Sequence, residues 1–149
     1  MAPLQVSHPI TPEEWAFYHK IMKSQIFDPI KMKYNPHHHT FTDANHFHFI
    51  LYDQNNSVVS VAHIEIINTN NTHQGVCRTM ATDPAHQRKG YAGYLLNTIE
   101  QWLKSRDINV IYLHAAPHIE DYYKKRGYTP IAWQDPNIKT LYMGLGKNL

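Results

Sequence analysis

Residues 76–96 read VCRTMATDPAHQRKGYAGYLL, and in that order they describe a strand, a turn, a glycine-bearing loop and a helix. Val76, Arg78, Met80 and Thr82 alternate with Cys77, Thr79 and Ala81 in a β-branched and apolar run suited to a strand, which Asp83-Pro84 stops. Gln87-Arg88-Lys89-Gly90-Tyr91-Ala92-Gly93 then lies where loop becomes helix. Several backbone N–H groups at such a start have no carbonyl partner, and the helix dipole adds partial positive charge. Small residues let a ligand approach the backbone, and Arg88 and Lys89 add full charges, so this segment is expected to attract an anion.

Outward from it the elements follow by pattern. Downstream, Ala92, Leu95, Leu96, Ile99, Trp102 and Leu103 recur at helical spacing, with Asn97, Glu100, Gln101 and Lys104 opposite. Asn109–His114 holds an apolar run fit for a central strand after a crossover helix. Pro117 opens a short helix through Arg126, Gly127 suits its stop, and Tyr128–Trp133 with Thr140–Leu145 predict a closing hairpin. Upstream, His46–Tyr52 and Val58–Ile67 read as strands joined by the turn Asp53-Gln54-Asn55-Asn56-Ser57. Residues 68–75 read as a further polar turn. Thr11-Pro12-Glu13-Glu14 combines an N-cap, an N1 proline and a capping-box glutamate, so a helix starts there with Trp15, Tyr18 and Met22 on its buried face. Phe27–Lys33 predicts a second short helix limited by Pro29 and Asn35-Pro36, and residues 34–46 read as loop. The order is αα-βββ-α-β-α-ββ, with an additional strand considered over Leu4–His8: an α/β (α+β) chain with a mixed, mostly antiparallel sheet flanked by helices.

Two blocks give the loop a wider context. Arg78–Pro84 followed by Gln87-Arg88-Lys89-Gly90-Tyr91-Ala92 resembles the acyl-CoA signature of the GCN5-related N-acetyltransferase (GNAT) superfamily, whose core is Q/R-x-x-G-x-G/A. Tyr122-Tyr123-Lys124-Lys125-Arg126-Gly127-Tyr128 is similar to that family's later F-Y-x-x-x-G-F/Y segment. The chain differs at Ala116 and Ile119, where the family often has asparagine and alanine. The resemblance implies a single GNAT-like domain over residues 1–149. It implies that backbone amides of Gln87, Arg88, Lys89, Gly90, Tyr91, Ala92 and Gly93 hold the pyrophosphate of coenzyme A. It also implies that Met80, Ala81 and Thr82 lie along the pantetheine arm and that Tyr123 is the general acid. The implied reaction moves an acetyl group from acetyl-CoA to a primary amine of a small molecule, peptide or protein. The family often places an acid on the strand before the glycine loop; Val76–Thr82 has none, which turns attention to Glu65 and His63 as bases. A non-catalytic acyl-CoA sensor or regulatory module is the alternative, since the same loop serves both.

Composition narrows the remaining classes. A chain of 149 residues with 42% hydrophobic and 17% charged residues fits one folded domain rather than two or a disordered chain. A formal net charge of +2 gives no reason to expect nucleic acid, and Lys124-Lys125-Arg126 reads as the solvated side of a short helix. No stretch has the length of a membrane span, and MAPLQVSHPITPEEW lacks a basic region followed by an apolar run, so a cytoplasmic protein, monomer or homodimer, is expected. With Cys77 alone no internal disulfide can form, and its strand position suggests an inert packed thiol. Of the 12 histidines, His37-His38-His39 point in different directions in an extended loop, so no metal site is expected. His46 and His48 share one strand face and His63 and Glu65 the next; each could line a pocket, though such histidines are usually surface.

Overall fold

Thr11 opens the first helix through both halves of a capping box: its hydroxyl accepts from the Glu14 N–H and the Glu14 carboxylate accepts from the Thr11 N–H. The computed structural model describes residues 3–69 and 71–149. Helix α1 (Pro12–Met22) buries Tyr18, Ile21 and Met22, while Trp15 is only partly covered. The expected second helix is not separate. Instead α1 runs on into a π turn, Lys23–Phe27, and a 3-10 turn, Asp28–Ile30, closed by Lys31 in the left-handed region at φ 57°. Pro29 has no N–H to extend the ladder, which limits this segment to single turns.

Among the described residues seven strands form one sheet: β1 (Gln5–Ser7), β2 (His46–Tyr52), β3 (Val58–Thr69), β4 (Thr72–Thr82), β5 (Val110–Ala115), β6 (Thr129–Pro130) and β7 (Met143–Asn148). Their order is β1-β2-β3-β4-β5-β7-β6, and every neighbouring pair is antiparallel except β4 with β5. The β3–β4 turn is tighter than the polar run 68–75 suggests. Asn68 pairs with His73 and Thr69 with Thr72, and Asn71 takes the left-handed conformation at φ 62°. Backbone pairing carries this exposed hairpin end, so its polar side chains are no signal against strand.

Helix α2 (Tyr91–Ser105) crosses between β4 and β5 and buries Leu95, Leu96, Ile99 and Leu103 against Ile64, Cys77, Ile111, Leu113 and Leu145 on one sheet face. Full burial of each such side chain is worth about 1.5–3 kcal/mol relative to exposure. The approach is close enough that a Cβ on Gly75 would sit 2.7 Å from a Leu103 methyl. On the other face, Tyr18, Ile21 and Met22 of α1 pack on Ile50, Val61 and Ala81.

Two irregularities open the sheet where the site lies. His63 pairs with Thr79 but Ile64 with Cys77, so Arg78 is a bulge on β4. The parallel β4–β5 pairing consists of Gly75 with Ile111 and Val76 with Tyr112, after which the two strands part. The segment after β5 enters a 3-10 turn, Pro117–Ile119, then helix α3 (Glu120–Lys124), a shorter helix than the expected Pro117–Arg126, and Gly127 at φ 93° ends it.

The closing hairpin also differs from expectation, because β6 has two residues and β7 lies later than Thr140–Leu145. Residues 131–142 are drawn off the sheet by side-chain bonds. Asp135 pairs with Arg78, Asn137 donates to Glu65, and Trp133 stacks on Tyr112 and His114 at centroid distances of 5.0 and 4.9 Å.

Candidate active site

Beyond Val76 the edge of β4 toward β5 is released from pairing, and a cavity of about 520 Å³ opens beside it. Met80, Ala81 and Thr82 line this cavity, as do Gln87, Arg88, Gly90, Tyr91, Ala92 and Gly93; of the loop residues read from the sequence, Lys89 alone is not on its wall. Gly90 caps α2 in the left-handed region at φ 84° without any side-chain cap, and Arg88 is also left-handed at φ 63°. The first N–H groups of α2 have no carbonyl partner within the helix, and the positive end of its dipole lies at this loop. No atom lies within 4 Å of where a Gly90 Cβ would stand, so a side chain there would enter the open space over the loop. The loop is tethered from behind: His86 bonds Asp83 at 2.8 Å, the Tyr91 hydroxyl donates to Gln54 at 3.2 Å, and the Gln87 amide donates to the Thr82 carbonyl at 3.2 Å. A free strand edge running into an amide-rich helix start fits an extended amide-bearing arm ending in a pyrophosphate, the chemistry of coenzyme A.

Tyr122 and Tyr123 both line the same cavity, but differently. Tyr123 is 8% exposed, set edge-on between Tyr122 and Tyr128 at 5.3 and 5.6 Å, whereas Tyr122 is 36% exposed. Burial, aided by the nearby Cys77, pushes the Tyr123 phenol well above its ordinary range, so it keeps its proton. Burial likewise raises the Cys77 thiol to about 12, as suits a packed thiol. Arg126 is exposed yet belongs to this wall. Its guanidinium lies 4.7 Å from the Tyr122 ring centroid and occupies the space a Cβ on Gly93 would need. Gln25, Ile26 and Ile119 complete the wall, and no spacing rule in the sequence announces them.

On the α1 side of the sheet a second cavity, of about 770 Å³, begins at Thr79, the residue adjoining Met80 of the first. Its apolar wall includes Tyr18, Met22, Phe27, Tyr34 and Phe41, and its polar wall His46, His63, Glu65, Arg78 and Asn137. Antiparallel register puts His46 opposite Glu65 and His48 opposite His63. The usual surface reading of such histidines does not hold for this sheet, since α1 and residues 34–45 cover the face. His48 is 5% exposed, takes the Tyr18 hydroxyl on Nδ1 at 2.6 Å and donates from Nε2 to the Thr40 carbonyl at 2.9 Å. Burial pulls its imidazole down to about 4. His63, stacked on His48 at 4.5 Å, is held down to about 2, by burial first and then by the His48, His46 and Arg78 charges. His46 is lowered by burial against the opposing pull of Glu65 and Asp43.

Glu65 is 3% exposed and fully engaged. Oε1 accepts from Arg78 Nε at 2.9 Å and Nη2 at 2.7 Å, and Oε2 accepts from Asn137 Nδ2 at 2.7 Å with His46 Nε2 3.7 Å away. The Arg78 guanidinium is shared with Asp135 through Nη1 and Nη2, and His114 Nε2 stands 3.3 Å from Asp135. Although burial opposes ionisation, Arg78 and the N–H groups of Asn137 and Ile138 hold Asp135 below its usual range. Sequence reasoning found Glu65 and His63 but missed Arg78 and Asp135, whose sequence separation of 57 leaves no local signal. In the histidine run, His38 bonds Thr40 and His39 bonds Asp43; among the described residues no three His, Cys, Asp or Glu side chains are grouped to hold a metal. Among the described residues, no helix is long and apolar enough to cross a membrane.

The sheet parts between β4 and β5 with the glycine loop and one cavity on one side and a second cavity on the other, and comparison with known proteins gives the class of fold. The chain matches the Acetyltransferase (GNAT) family over residues 10–128 and belongs to that family. No curated protein matches it significantly. Similar solved structures include an acetyltransferase of the GNAT family from Staphylococcus aureus Mu50, 12% identical over 97% of this chain and 98% of that one, with a TM-score of 0.77. The ribosomal-protein-S18-alanine N-acetyltransferase of Escherichia coli is 13% identical over 97% and 93%, TM-score 0.72. The PaiA N-acetyltransferase of Thermoplasma acidophilum, solved in complex with coenzyme A, is 10% identical over 99% and 100%, TM-score 0.72. At these identities the likeness is one of fold.

Proposed function

We propose that this protein transfers an acetyl group from acetyl-CoA to a primary amine of a small molecule, peptide or protein. The observation that carries this reading is that Thr79 and Met80 lie on the walls of two different cavities, so that the stretch of β4 after the Arg78 bulge, unpaired on its edge toward β5, is their common border. A donor lying along Met80, Ala81 and Thr82 and an acceptor entering past His63 and Glu65 would meet at that border. The N–H groups of Gln87–Gly93 would hold the pyrophosphate, with Arg88 adding charge. Main-chain groups of Met80 and Thr82 would bond the pantetheine arm as a neighbouring strand would. A backbone N–H freed by the splay would face the developing negative charge on the acyl oxygen. An alkylamine with a pKa near about 10.4 arrives mostly protonated at neutral pH, so a proton must leave it before attack; Glu65 and His63 line that cavity. Tyr123 would return a proton to the departing thiolate.

The test is release of free thiol from acetyl-CoA against a panel of primary amines. Amine-dependent release supports the reading. CoA binding without release from any amine would leave the acyl-CoA-binding module as the function.

A further inference from the structure

Neither base candidate is well suited to act alone. Glu65 already accepts two bonds from Arg78 and one from Asn137, and a proton lodged on His63 would be a buried charge near the Arg78 guanidinium with, among the described residues, no anion beside it. The side chain between them, His46, was read from the sequence as one that could line a pocket, not as a base. Its Nδ1 is 2.8 Å from His63 Nε2 and its Nε2 is 3.7 Å from Glu65 Oε2.

The carboxylate fixes the tautomers. A lone pair on His46 Nε2 would face the anionic Glu65 oxygen and be repelled, so Nε2 carries hydrogen and a neutral His46 has its lone pair on Nδ1. The 2.8 Å contact then needs hydrogen on His63 Nε2, leaving the lone pair of His63 on Nδ1. His48 cannot join, because the Tyr18 hydroxyl and the Thr40 carbonyl occupy both its nitrogens.

Resting on the amine-acetylation reading, we propose that His63, His46 and Glu65 form one proton-carrying row in which His46 is the residue that holds the acceptor's proton. The ammonium N–H bond breaks as His63 Nδ1–H forms, His63 Nε2–H breaks as His46 Nδ1–H forms, and the His46 imidazolium stands against the Glu65 carboxylate. No electrons leave the system, and one proton has moved from the amine to His46. The groups facing the row are His38, His39 and Asp43 from the preceding loop, His48 from β2 and Arg78 from β4. At His46, Glu65 and Asp43 favour the imidazolium against burial, Arg78 and His39, whereas among the described residues no anion faces His63, which has Arg78 and neutral rings around it. In this arrangement His63 touches the substrate, while His46 and Glu65 act through it.

Two measurements decide the matter. Nitrogen-15 histidine spectra of the full chain should show His63 as the Nε2–H tautomer at neutral pH and His46 as the member of the pair that titrates first on acidification. Glu65→Gln, close in shape, should lower the His46 midpoint. His63 in the Nδ1–H form, or titrating above His46, would overturn the row whatever the enzyme's activity. In kinetics, His46→Phe should reduce kcat/KM at pH 7 by about 10²-fold for the fastest alkylamine of the panel, benzylamine being the first choice. The deficit should shrink as pH rises toward the pKa of the amine. For aniline, already neutral at pH 7, the loss should be under about 3-fold, with CoA affinity unchanged. Equal losses for both amines would show a structural role for His46 and reject the relay. Wild-type protein that binds CoA yet acetylates no amine would instead overturn the acetyltransfer reading and the relay's role with it.

Discussion

At Tyr123 the surroundings that bury the phenol also report on its expected partner. Burial raises the phenol, but it raises the neighbouring Cys77 thiol to about 12 as well, so a coenzyme thiolate appearing here would gain proton affinity by the same cause. The match between a phenol with reference pKa of about 10 and a thiol of about 8.5 is therefore carried upward together. Nothing among the described residues hydrogen-bonds the Tyr123 hydroxyl, which leaves its proton free for a ligand. Tyr123→Phe keeps both edge-on ring contacts and should leave CoA binding intact while turnover falls by roughly 10²–10⁴, the range of general acid catalysis. Tyr122→Phe should be mild. Steady-state kinetics on the two variants with one good acceptor checks this; equal, near-normal rates would give the role to another group or to water.

Among the elements, the loop entering α2 makes the next demand. Gly90 combines φ 84° with open space where its Cβ would project, so Gly90→Val would be strained and would also fill the concavity proposed to hold a phosphate. CoA binding followed by calorimetry should be lost in a folded Gly90→Val protein, and unchanged affinity would remove the loop from the cofactor site. This loop, the Thr11–Glu14 capping box and the apolar stripe of α2 were legible because each signal lies within a few residues of sequence. The β4 bulge at Arg78 was not, since Arg78 fits the strand alternation as well as its neighbours do. Nor was the path of residues 131–142, which is set by Asp135 reaching Arg78 across the sheet rather than by local propensity. The same distance explains why Glu65 and His63 were found from their shared face while the Arg78–Asp135 staple that surrounds them was not. Asp135→Ala should therefore leave Arg78 with an incomplete set of partners in a site where both side chains are under 10% exposed. Removing one partner of such a buried pair costs about 3–5 kcal/mol, read as a lower urea midpoint. Amides of residues 137 and 138 should exchange faster with it. A midpoint within error of wild type would show that Trp133 stacking and the Asn137–Glu65 bond fix this loop without Asp135.

Over the whole molecule, the histidines buried between α1 and the sheet tie stability to pH. In the unfolded chain His48 takes up its proton as pH falls through about 6.5, whereas in the folded protein it resists until about 4. Between those values the unfolded state binds more protons, so stability must fall as pH falls, and it is fully retained above the unfolded value. His63, held down to about 2, adds in the same direction over the same window, and Asp135, lowered by Arg78, extends the loss into the carboxylate range. A shift from 6.5 to about 4 corresponds to about 3 kcal/mol for His48 once titration is complete, at a group 5% exposed. His48→Gln isolates this contribution, because an amide can still donate to the Thr40 carbonyl and accept from the Tyr18 hydroxyl but has no proton to gain. Urea unfolding at pH 7 and pH 5 should show a marked fall in stability for the wild type and a smaller one for His48→Gln. Parallel pH dependences of the two proteins would mean that the acid sensitivity arises elsewhere, with His63 the next residue to replace.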